Sequence, residues 1–330
     1  MSKLNYIRNL GAKAKKASQD LSILSEKKKN AVLKSFYLNI KKNSSKILKA
    51  NEIDIISSKK KGLKDNLIDR SMLNKDRIES ILNSIEEVIS FKDPTHKVIA
   101  KWKRPNNLII NRVTMPIGVL GVIYEARPNV TSDVAILSFK SGNSAILRGG
   151  KEALKSNITI SNLFRASLKK NNINQDCIQL VNNTDRKIVD LMLSKMSDYI
   201  DIIIPRGGKS LVKKVLELSK VPTIGHLEGL CHVYLDNQYN YNTAEKLIIN
   251  SKLRRTSICG AVETLLIEEK ALNSHAKEII NALLNSGCEV RADKKVNKLF
   301  KGKLKKTTEK DWKTEYLDAI ISIKTVKNVN

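Results

Sequence analysis

The sequence predicts an α/β protein with two doubly wound, Rossmann-like domains and a protruding β-hairpin arm. Three observations support this fold class. Residues 3–91 carry apolar side chains at helical spacing, strands alternate with helices from residue 118 onward, and a second strand–helix set follows residue 225. Because strand–helix–strand repetition places consecutive strands in parallel, each set predicts one sheet with helices on both faces. We therefore expect a first domain over 1–225 and a second over 226–330.

Two apolar stripes define helices that precede the first sheet. One helix is expected to open at Ser25, and another to end at Asp93–Pro94. The stripe residues are Val32, Leu33, Phe36, Tyr37, Ile40, Ile78, Ile81, Leu82, Ile85, Val88 and Ile89. Such stripes are most simply core, so we assign them no chemistry.

Residues 97–116 predict a β-hairpin. Two alternating segments, KVIAKWK and LIINRVTM, flank the turn residues Arg104–Asn107. A protruding two-stranded arm often serves assembly, so we assign this hairpin to oligomerisation.

Two strand ends in the first sheet have the features of phosphate sites. Arg148-Gly149-Gly150-Lys151 follows the strand SAILR, and Arg206-Gly207-Gly208-Lys209 follows YIDIIIP. Each pair of glycines leads into a helix N-terminus, where unpaired N–H groups and the helix dipole favour an anion. Neither GxGxxG nor GxxxxGK[ST] is present, so a nucleotide would be held in a different manner.

The second domain predicts a helix from Asn242 to Leu253, a loop that carries Cys259, a strand ETLLI and a helix over 271–286. Two arginines precede Cys259 and a small Gly-Ala pair follows it, which leaves room for a substrate beside the thiol. A thiol on a tight loop with backbone N–H groups suits covalent acyl chemistry. The alternative is that Cys259 is a small buried hydrophobe, the usual fate of a free cysteine.

Composition excludes several function classes. The chain has 330 residues, 41% of them hydrophobic, and four cysteines without a CxxC pair, so a reducing cytoplasm fits best and a metal cluster does not. His226 and His232 lack further ligands for zinc. The net charge of +27 raises a nucleic-acid binder as a hypothesis from another class. The lysines are spread along the chain and aromatic residues make up only 5%, so we expect no nucleic-acid partner. We also expect no membrane partner, because no apolar run reaches about 20 residues.

Four segments together resemble the γ-glutamyl phosphate reductases, a family within the aldehyde dehydrogenase superfamily. They are MPIGVLGVIYEARPNVTSDVAILSFKSGNSAILRGGKEALKSN at 115–157, IDIIIPRGG at 200–208, HLEGLCHVYLD at 226–236 and ICGAVETLL at 258–266. The resemblance runs from the first helix to residue 330. It implies NADPH-dependent reduction of L-glutamyl 5-phosphate to glutamate 5-semialdehyde and phosphate, in proline biosynthesis, with the substrate supplied by glutamate kinase.

The resemblance also implies roles for individual residues. Cys259 takes the position of the family's nucleophile, and Asn129 is the expected oxyanion donor, with Arg127 as the rival. Arg148, Lys151, Gly207, Gly208 and Glu315 are expected to bind NADP, with a solvated carboxylate as the alternative for Glu315. Lys151 stands where many NAD-preferring relatives carry a glutamate, which favours the 2′-phosphate of NADP. The expected substrate ligands are Arg127, Arg206, Arg254, Arg255 and His226, with exposed surface cations as the alternative for the arginines.

Two departures from the resemblance leave alternatives open. Oxidising aldehyde dehydrogenases use a glutamate base near the position where this chain has Gly225 and His226. A plain, non-phosphorylating aldehyde dehydrogenase is the second hypothesis, and the missing glutamate speaks against it. Family members also continue past the final residues, Lys327–Asn330. We therefore expect the C-terminal part of the fold to be missing from this sequence. A further alternative is then an inactive or poorly stable fragment of a reductase that is a homo-oligomer when complete.

Overall fold

A computed structural model of the chain describes residues 2–63, 65–225 and 228–329. Its contacts separate two compact units, Met1–Gly225 and His226–Asn330. Each unit is built around its own parallel sheet.

Helices open the first unit. They are α1 Lys3–Ser22, α2 Glu26–Lys42, α3 Ser44–Lys60, α4 Asp65–Ser71 and α5 Lys75–Ser90. The predicted stripes are confirmed as core: α2 buries Val32, Leu33, Phe36 and Ile40, and α5 buries a matching set. Ser25 occupies the N-cap of α2, but its side chain makes no capping hydrogen bond.

The predicted hairpin is confirmed. Strand β1, Val98–Lys103, pairs in antiparallel register with β2, Ile109–Val113. Large apolar side chains remain exposed on it, among them Ile99, Trp102 and Ile109. The hairpin is therefore a surface arm rather than part of the core.

A four-stranded parallel sheet forms the centre of the first unit. Its strands are β3 Val119–Tyr124, β4 Ser144–Arg148, β5 Ile178–Leu180 and β6 Ile202–Arg206, in the order β5-β4-β3-β6. The helices between and after them are α6 Pro128–Lys140, α7 Leu154–Lys170, α8 Arg186–Lys195 and α9 Lys209–Leu218. The strand order reverses at β3, the point where ligands bind at the carboxyl ends of such sheets.

Alternation along β3 explains why helices cover both faces of this sheet. Leu120 and Val122 pack into one buried cluster with residues of α2, α5, α6 and α7. Val119 and Ile123 pack into another cluster with residues of α1 and α8. Because side chains alternate along a strand, one strand supplies both layers, as the doubly wound prediction requires.

The second unit contains a five-stranded parallel sheet. Its strands are β7 Cys231–Leu235, β8 Val262–Glu268, β9 Glu289–Ala292, β10 Lys305–Lys306 and β11 Ile320–Val326, in the order β10-β9-β11-β8-β7. Its α-helices are α10 Tyr241–Leu253, α11 Ala276–Asn285 and α12 Lys294–Leu299. The helix predicted over 271–286 is wrong at its start, because Glu269–Asn273 forms a separate 3₁₀ turn before α11.

In the described part of the chain, none of the helices is long and apolar enough to cross a membrane.

Candidate active site

A cavity of about 590 Å³ lies in the first unit, beside the carboxyl ends of β3 and β4. Its wall includes Tyr124 and Arg148 from the strands, Arg127 from the start of α6, and Lys151 after β4. The volume lies in the range of small-molecule sites. Three of the residues predicted to bind cofactor or substrate, Arg127, Arg148 and Lys151, therefore share one cavity.

Arg148 is a buried cation in this wall, with 8% of its surface exposed. Its guanidinium donates to the main-chain carbonyl of Gly149 through Nη1 and to that of Thr184 through Nη2, the latter at 3.1 Å. The buried Nε bonds to no partner in the described residues. Burial lowers the pKa of Arg148, and the nearby Arg186 acts in the same direction, while Glu152 opposes both. The guanidinium therefore connects the loops that carry Gly149 and Thr184. It forms no ion pair with a residue that the structure describes.

Two exposed cations stand near Arg148. Lys151 begins the short 3₁₀ turn Lys151–Ala153, and Arg186 is the first residue of α8. Both line the cavity, and neither side chain forms a hydrogen bond or ion pair with the residues that the structure describes. The cavity wall is thus positively charged on this side and suits an anionic ligand.

A carboxylate occupies the predicted phosphate position at the start of α9. Gly208 is the N-cap of α9, and its N–H donates to Glu125 Oε1 at 3.0 Å. A Cβ on Gly207 would lie 2.7 Å from the Glu125 side chain, so glycine is needed for this close approach. Glu125 follows β3 directly and also lines the cavity. A phosphate at this helix N-terminus would have to displace an internal carboxylate.

Asn129 and Arg206 lie elsewhere in the first unit. Asn129 sits in the first turn of α6, and its amide donates to Asp133 Oδ2 at 3.1 Å. Arg206 ends β6 with an exposed side chain. Neither residue lines the cavity.

In the second unit, Cys259 lies on the segment 254–261, which we term the nucleophile loop, between α10 and β8. The thiol is half-buried. The main-chain carbonyl oxygen of Cys259 accepts a hydrogen bond from Cys231 Sγ at 3.4 Å. A side chain on Gly229 would clash with this carbonyl and lie 2.9 Å from Cys259 Cβ. The backbone N–H of Cys259 donates to no acceptor among the described residues, so this donor remains available.

The remaining predicted residues of the second unit are placed as follows. Arg254 and Arg255 are exposed on the nucleophile loop. Glu315 lies before β11, and its Oε1 accepts the N–H of Gly229 at 3.1 Å. His226 lies outside the described residues. Across the described residues, no group of three His, Cys, Asp or Glu side chains could hold a metal ion.

Curated relatives match almost the whole chain. The γ-glutamyl phosphate reductase of Allorhizobium ampelinum is 46% identical over 321 residues, covering 97% of this chain and 75% of the relative. That of Bartonella quintana is 42% identical over 323 residues, covering 98% and 78%. The chain belongs to the γ-glutamyl phosphate reductase family. The predicted resemblance is thereby confirmed, although no protein-family profile matches the chain.

Solved structures support the same family and the wider fold. The crystal structure of γ-glutamyl phosphate reductase from Thermotoga maritima has a TM-score of 0.91 and 38% identity, covering 99% of this chain and 78% of that one. The Saccharomyces cerevisiae reductase gives 0.63 and 30%, covering 96% and 80%. An acetylating aldehyde dehydrogenase from Geobacillus thermoglucosidasius gives 0.65 at 17% identity, covering 98% and 76%, and shares the fold alone. The predicted aldehyde dehydrogenase-like fold is confirmed.

Several residues of this reductase-family chain that lie at the cavity or at the nucleophile loop are not predicted from the sequence. Glu125 and Arg186 line the cavity, and Lys252 and Glu263 form a buried ion pair beside the nucleophile loop. One signal was available for Lys252, because it lies four residues after the buried Ile248 and so on the same face of α10. A charged residue on an apolar stripe indicates a buried partner.

Proposed function

We propose that the chain reduces L-glutamyl 5-phosphate to L-glutamate 5-semialdehyde and phosphate with NADPH, in proline biosynthesis. Membership of the family supports the reaction. The observation that carries the proposal is the setting of Cys259: a half-buried thiol on an open loop, with its own N–H unbonded within the described residues. These are the requirements for a nucleophile that forms an acyl intermediate.

In the proposed reaction the Cys259 thiolate attacks the acyl carbon of the substrate. A carbon–sulfur bond forms, the bond from that carbon to the phosphate oxygen breaks, and phosphate leaves with the electron pair. The Cys259 N–H is one donor to the oxygen that becomes negative, and Asn129 is the proposed second. An amide carries two N–H bonds, and the bond to Asp133 uses only one. Arg127 is the alternative donor.

Exposed arginines are the proposed ligands of the substrate's anionic groups. Arg254 and Arg255 precede Cys259 on the nucleophile loop, and Arg206 lies at the end of β6. A guanidinium binds a phosphate or carboxylate through two parallel hydrogen bonds. His226 is kept as a further proposed ligand.

The cavity of the first unit fits the phosphorylated ribose of NADPH. It is large enough for a nucleoside, and its wall combines Lys151 and Arg186 with a buried Arg148 whose Nε lacks a partner within the described residues. We propose Arg148 and Lys151 as ligands of the adenosine ribose and its 2′-phosphate, and Glu315 as the ligand of the nicotinamide ribose. Gly207 and Gly208 would approach the pyrophosphate once Glu125 moves. When bound, NADPH supplies the hydride that reduces the thioester to the aldehyde level.

The exposed apolar hairpin supports a homo-oligomer. Ile99, Trp102, Ile109 and Ile110 are each more than 40% exposed. An apolar patch of this kind on a protruding arm marks a protein interface, so we propose that the arm pairs with another copy of the protein.

The decisive experiment is a coupled assay in which glutamate kinase and ATP supply the acyl phosphate and NADPH oxidation is followed. We expect Cys259→Ala to lower kcat by roughly 10⁴-fold or more, as loss of a nucleophile does. NADPH affinity should stay unchanged, because the proposed cofactor residues near the adenosine lie in the first unit.

Cys177→Ala and Cys288→Ala are the controls. Burial raises the pKa of Cys177 to about 12 and that of Cys288 to about 11, so both remain protonated thiols at neutral pH. Their variants should keep reductase activity, and activity in Cys259→Ala would contradict the assignment. The plain aldehyde dehydrogenase alternative is separated by the reverse reaction, which should require phosphate as acyl acceptor.

A further inference from the structure

A buried ion pair joins the two ends of the nucleophile loop. Lys252 lies in the last turn of α10, Glu263 is the second residue of β8, and Nζ to Oε2 is 2.6 Å. The two side chains are only 0% and 1% exposed. Moving two charges out of water costs about as much as their attraction returns, so such a pair is a poor source of stability. Its position at the two ends of the loop that carries Cys259 therefore calls for another explanation.

The nucleophile loop has few anchors of its own. No residue from Arg254 to Gly260 is buried, and Ala261 is the first that is. Within the described residues, the hydrogen bonds of this loop are Arg254 N–H to the Asn250 carbonyl at 3.2 Å, Ala261 N–H to the Ile258 carbonyl at 3.0 Å, and the weak contact from Cys231 Sγ to the Cys259 carbonyl. The position of the thiol is therefore determined mainly at the ends of the loop, where Lys252 and Glu263 meet.

The pair also connects the loop to two other segments of the second unit. Glu263 Oε1 accepts the N–H of Leu317 at 3.4 Å. Two residues earlier, Glu315 accepts the N–H of Gly229, and Gly229 packs directly against the carbonyl of Cys259. A continuous series of contacts thus runs from Lys252 to the residue that bears the thiol.

We infer that Lys252 and Glu263 are positioning residues that hold Cys259 in its reactive place, an inference that rests on the proposed role of Cys259. The two opposite charges largely cancel, so the pair acts through geometry. Because both side chains are buried, neither is placed to touch a substrate. A displacement of about 1 Å in a reacting group can cost about 100-fold in rate, which is the effect such a pair would prevent.

The test is the double variant Lys252→Met/Glu263→Leu, which replaces both charges with apolar groups of similar size. Because a buried pair can be exchanged for apolar residues at little cost in stability, the melting temperature should fall only by what the lost bond from the Leu317 N–H contributes. We expect kcat to fall by about 100-fold with an unchanged Kd for NADPH. Iodoacetamide should alkylate Cys259 about tenfold faster, because the loop is released to solvent.

The control is Lys295→Met/Glu269→Leu, which removes an exposed ion pair beyond the far end of β8. This variant should change neither kcat nor the rate at which Cys259 is alkylated.

Two further arms keep the outcomes separate. Glu263→Asp retains both charges but shortens the reach, so it should stay folded and still lower kcat; this variant decides if the double variant does not fold. The inference would be overturned if the double variant, or Glu263→Asp where the double variant does not fold, had the kcat of the native protein. If the native protein lacks reductase activity, the proposed function fails, and alkylation alone decides: an unchanged Cys259 rate in the double variant would refute the positioning role.

Discussion

Each unit buries a cation at a proposed functional site, Arg148 at the cavity and Lys252 at the end of the nucleophile loop. The two cations differ in the groups that their charges meet. Arg148 in the first unit donates to two neutral carbonyls and forms no ion pair within the described residues. Lys252 in the second unit donates to a carboxylate that is equally buried. Burial correspondingly lowers the pKa of Arg148, and burial raises the pKa of Glu263 against the opposing effect of Lys252.

The difference separates two uses of a buried cation. Carbonyl dipoles hold a guanidinium in place without cancelling its charge, so the Arg148 site can still attract an anion. A carboxylate partner cancels the charge and leaves a rigid connection, which suits the base of a loop that must hold its shape. The first unit is therefore built to bind, and the second to fix the position of a reacting group.

Replacing Arg148 tests the binding half of this comparison and should change both stability and affinity. Arg148→Met removes the donors to Gly149 and Thr184, so the protein should lose about 1–3 kcal/mol of stability. Affinity for 2′,5′-ADP, which carries the 2′-phosphate of NADPH, should fall by about 100-fold, since a charge-assisted site is lost. Thermal unfolding and titration calorimetry measure the two effects.

Arg165→Met is the matched control for that substitution. Arg165 also donates to main-chain carbonyls, those of Gln175 at 2.6 Å and Ile178 at 2.9 Å. It differs in pairing with Asp176 at 3.3 Å and in not lining the cavity. Its variant should lose comparable stability and keep the native affinity. Equal 2′,5′-ADP binding by Arg148→Met and the native protein would show that the buried charge plays no part in anion binding.

Asp311 tests the other half of the comparison, the pairing of a cation with a carboxylate in the second unit. Its carboxylate forms an ion pair with Arg291. Its carboxylate accepts from Arg291 and from Tyr316, each at 2.7 Å. Burial alone would raise the pKa of Asp311, but hydrogen bonds from Tyr316, Thr308 and Arg291 together bring it far below its usual value. Since the folded state has the lower pKa, the stabilisation is present above about pH 4 and is lost progressively as pH falls further.

Asp311→Asn should therefore cost about 2 kcal/mol near neutral pH and remove part of the acid-linked loss of stability. Urea unfolding between pH 3 and 7 can be followed through Trp312, the neighbouring residue, in a Trp102→Phe background. The exposed Asp318, replaced by Asn, is the control and should leave the pH profile unchanged. An identical pH dependence for Asp311→Asn and the native chain would contradict the assigned cause.

The same contrast explains what could be predicted from the sequence. Arg148 and Lys151 follow a strand directly, and the rule that ligands bind at strand ends predicts their place without any distant contact. Glu125 also follows a strand, yet its bond to Gly208 joins residues 83 positions apart and depends on β3 pairing with β6. The apolar stripe of α10 indicates that Lys252 is buried, but Glu263 appears as an ordinary charged position until α10 packs against β8. Pairing and packing, rather than local pattern, decide these contacts.

The smallest expected effect concerns Lys151, whose exposed side chain lines the cavity without a bonded partner in the described residues. Lys151→Glu places a carboxylate where the 2′-phosphate is proposed to bind, so the ratio of kcat/KM for NADPH over NADH should fall by about tenfold, or about 1.4 kcal/mol. Stability should not change, since exposed substitutions without partners rarely matter. Lys170→Glu, an equally exposed substitution at the end of α7, is the control for added negative charge. Because Arg148 keeps its charge in this variant, some preference for NADPH should remain. A complete reversal would assign the 2′-phosphate to Lys151 alone, whereas an unchanged ratio would exclude Lys151 and leave Arg148 and Arg186 as its ligands.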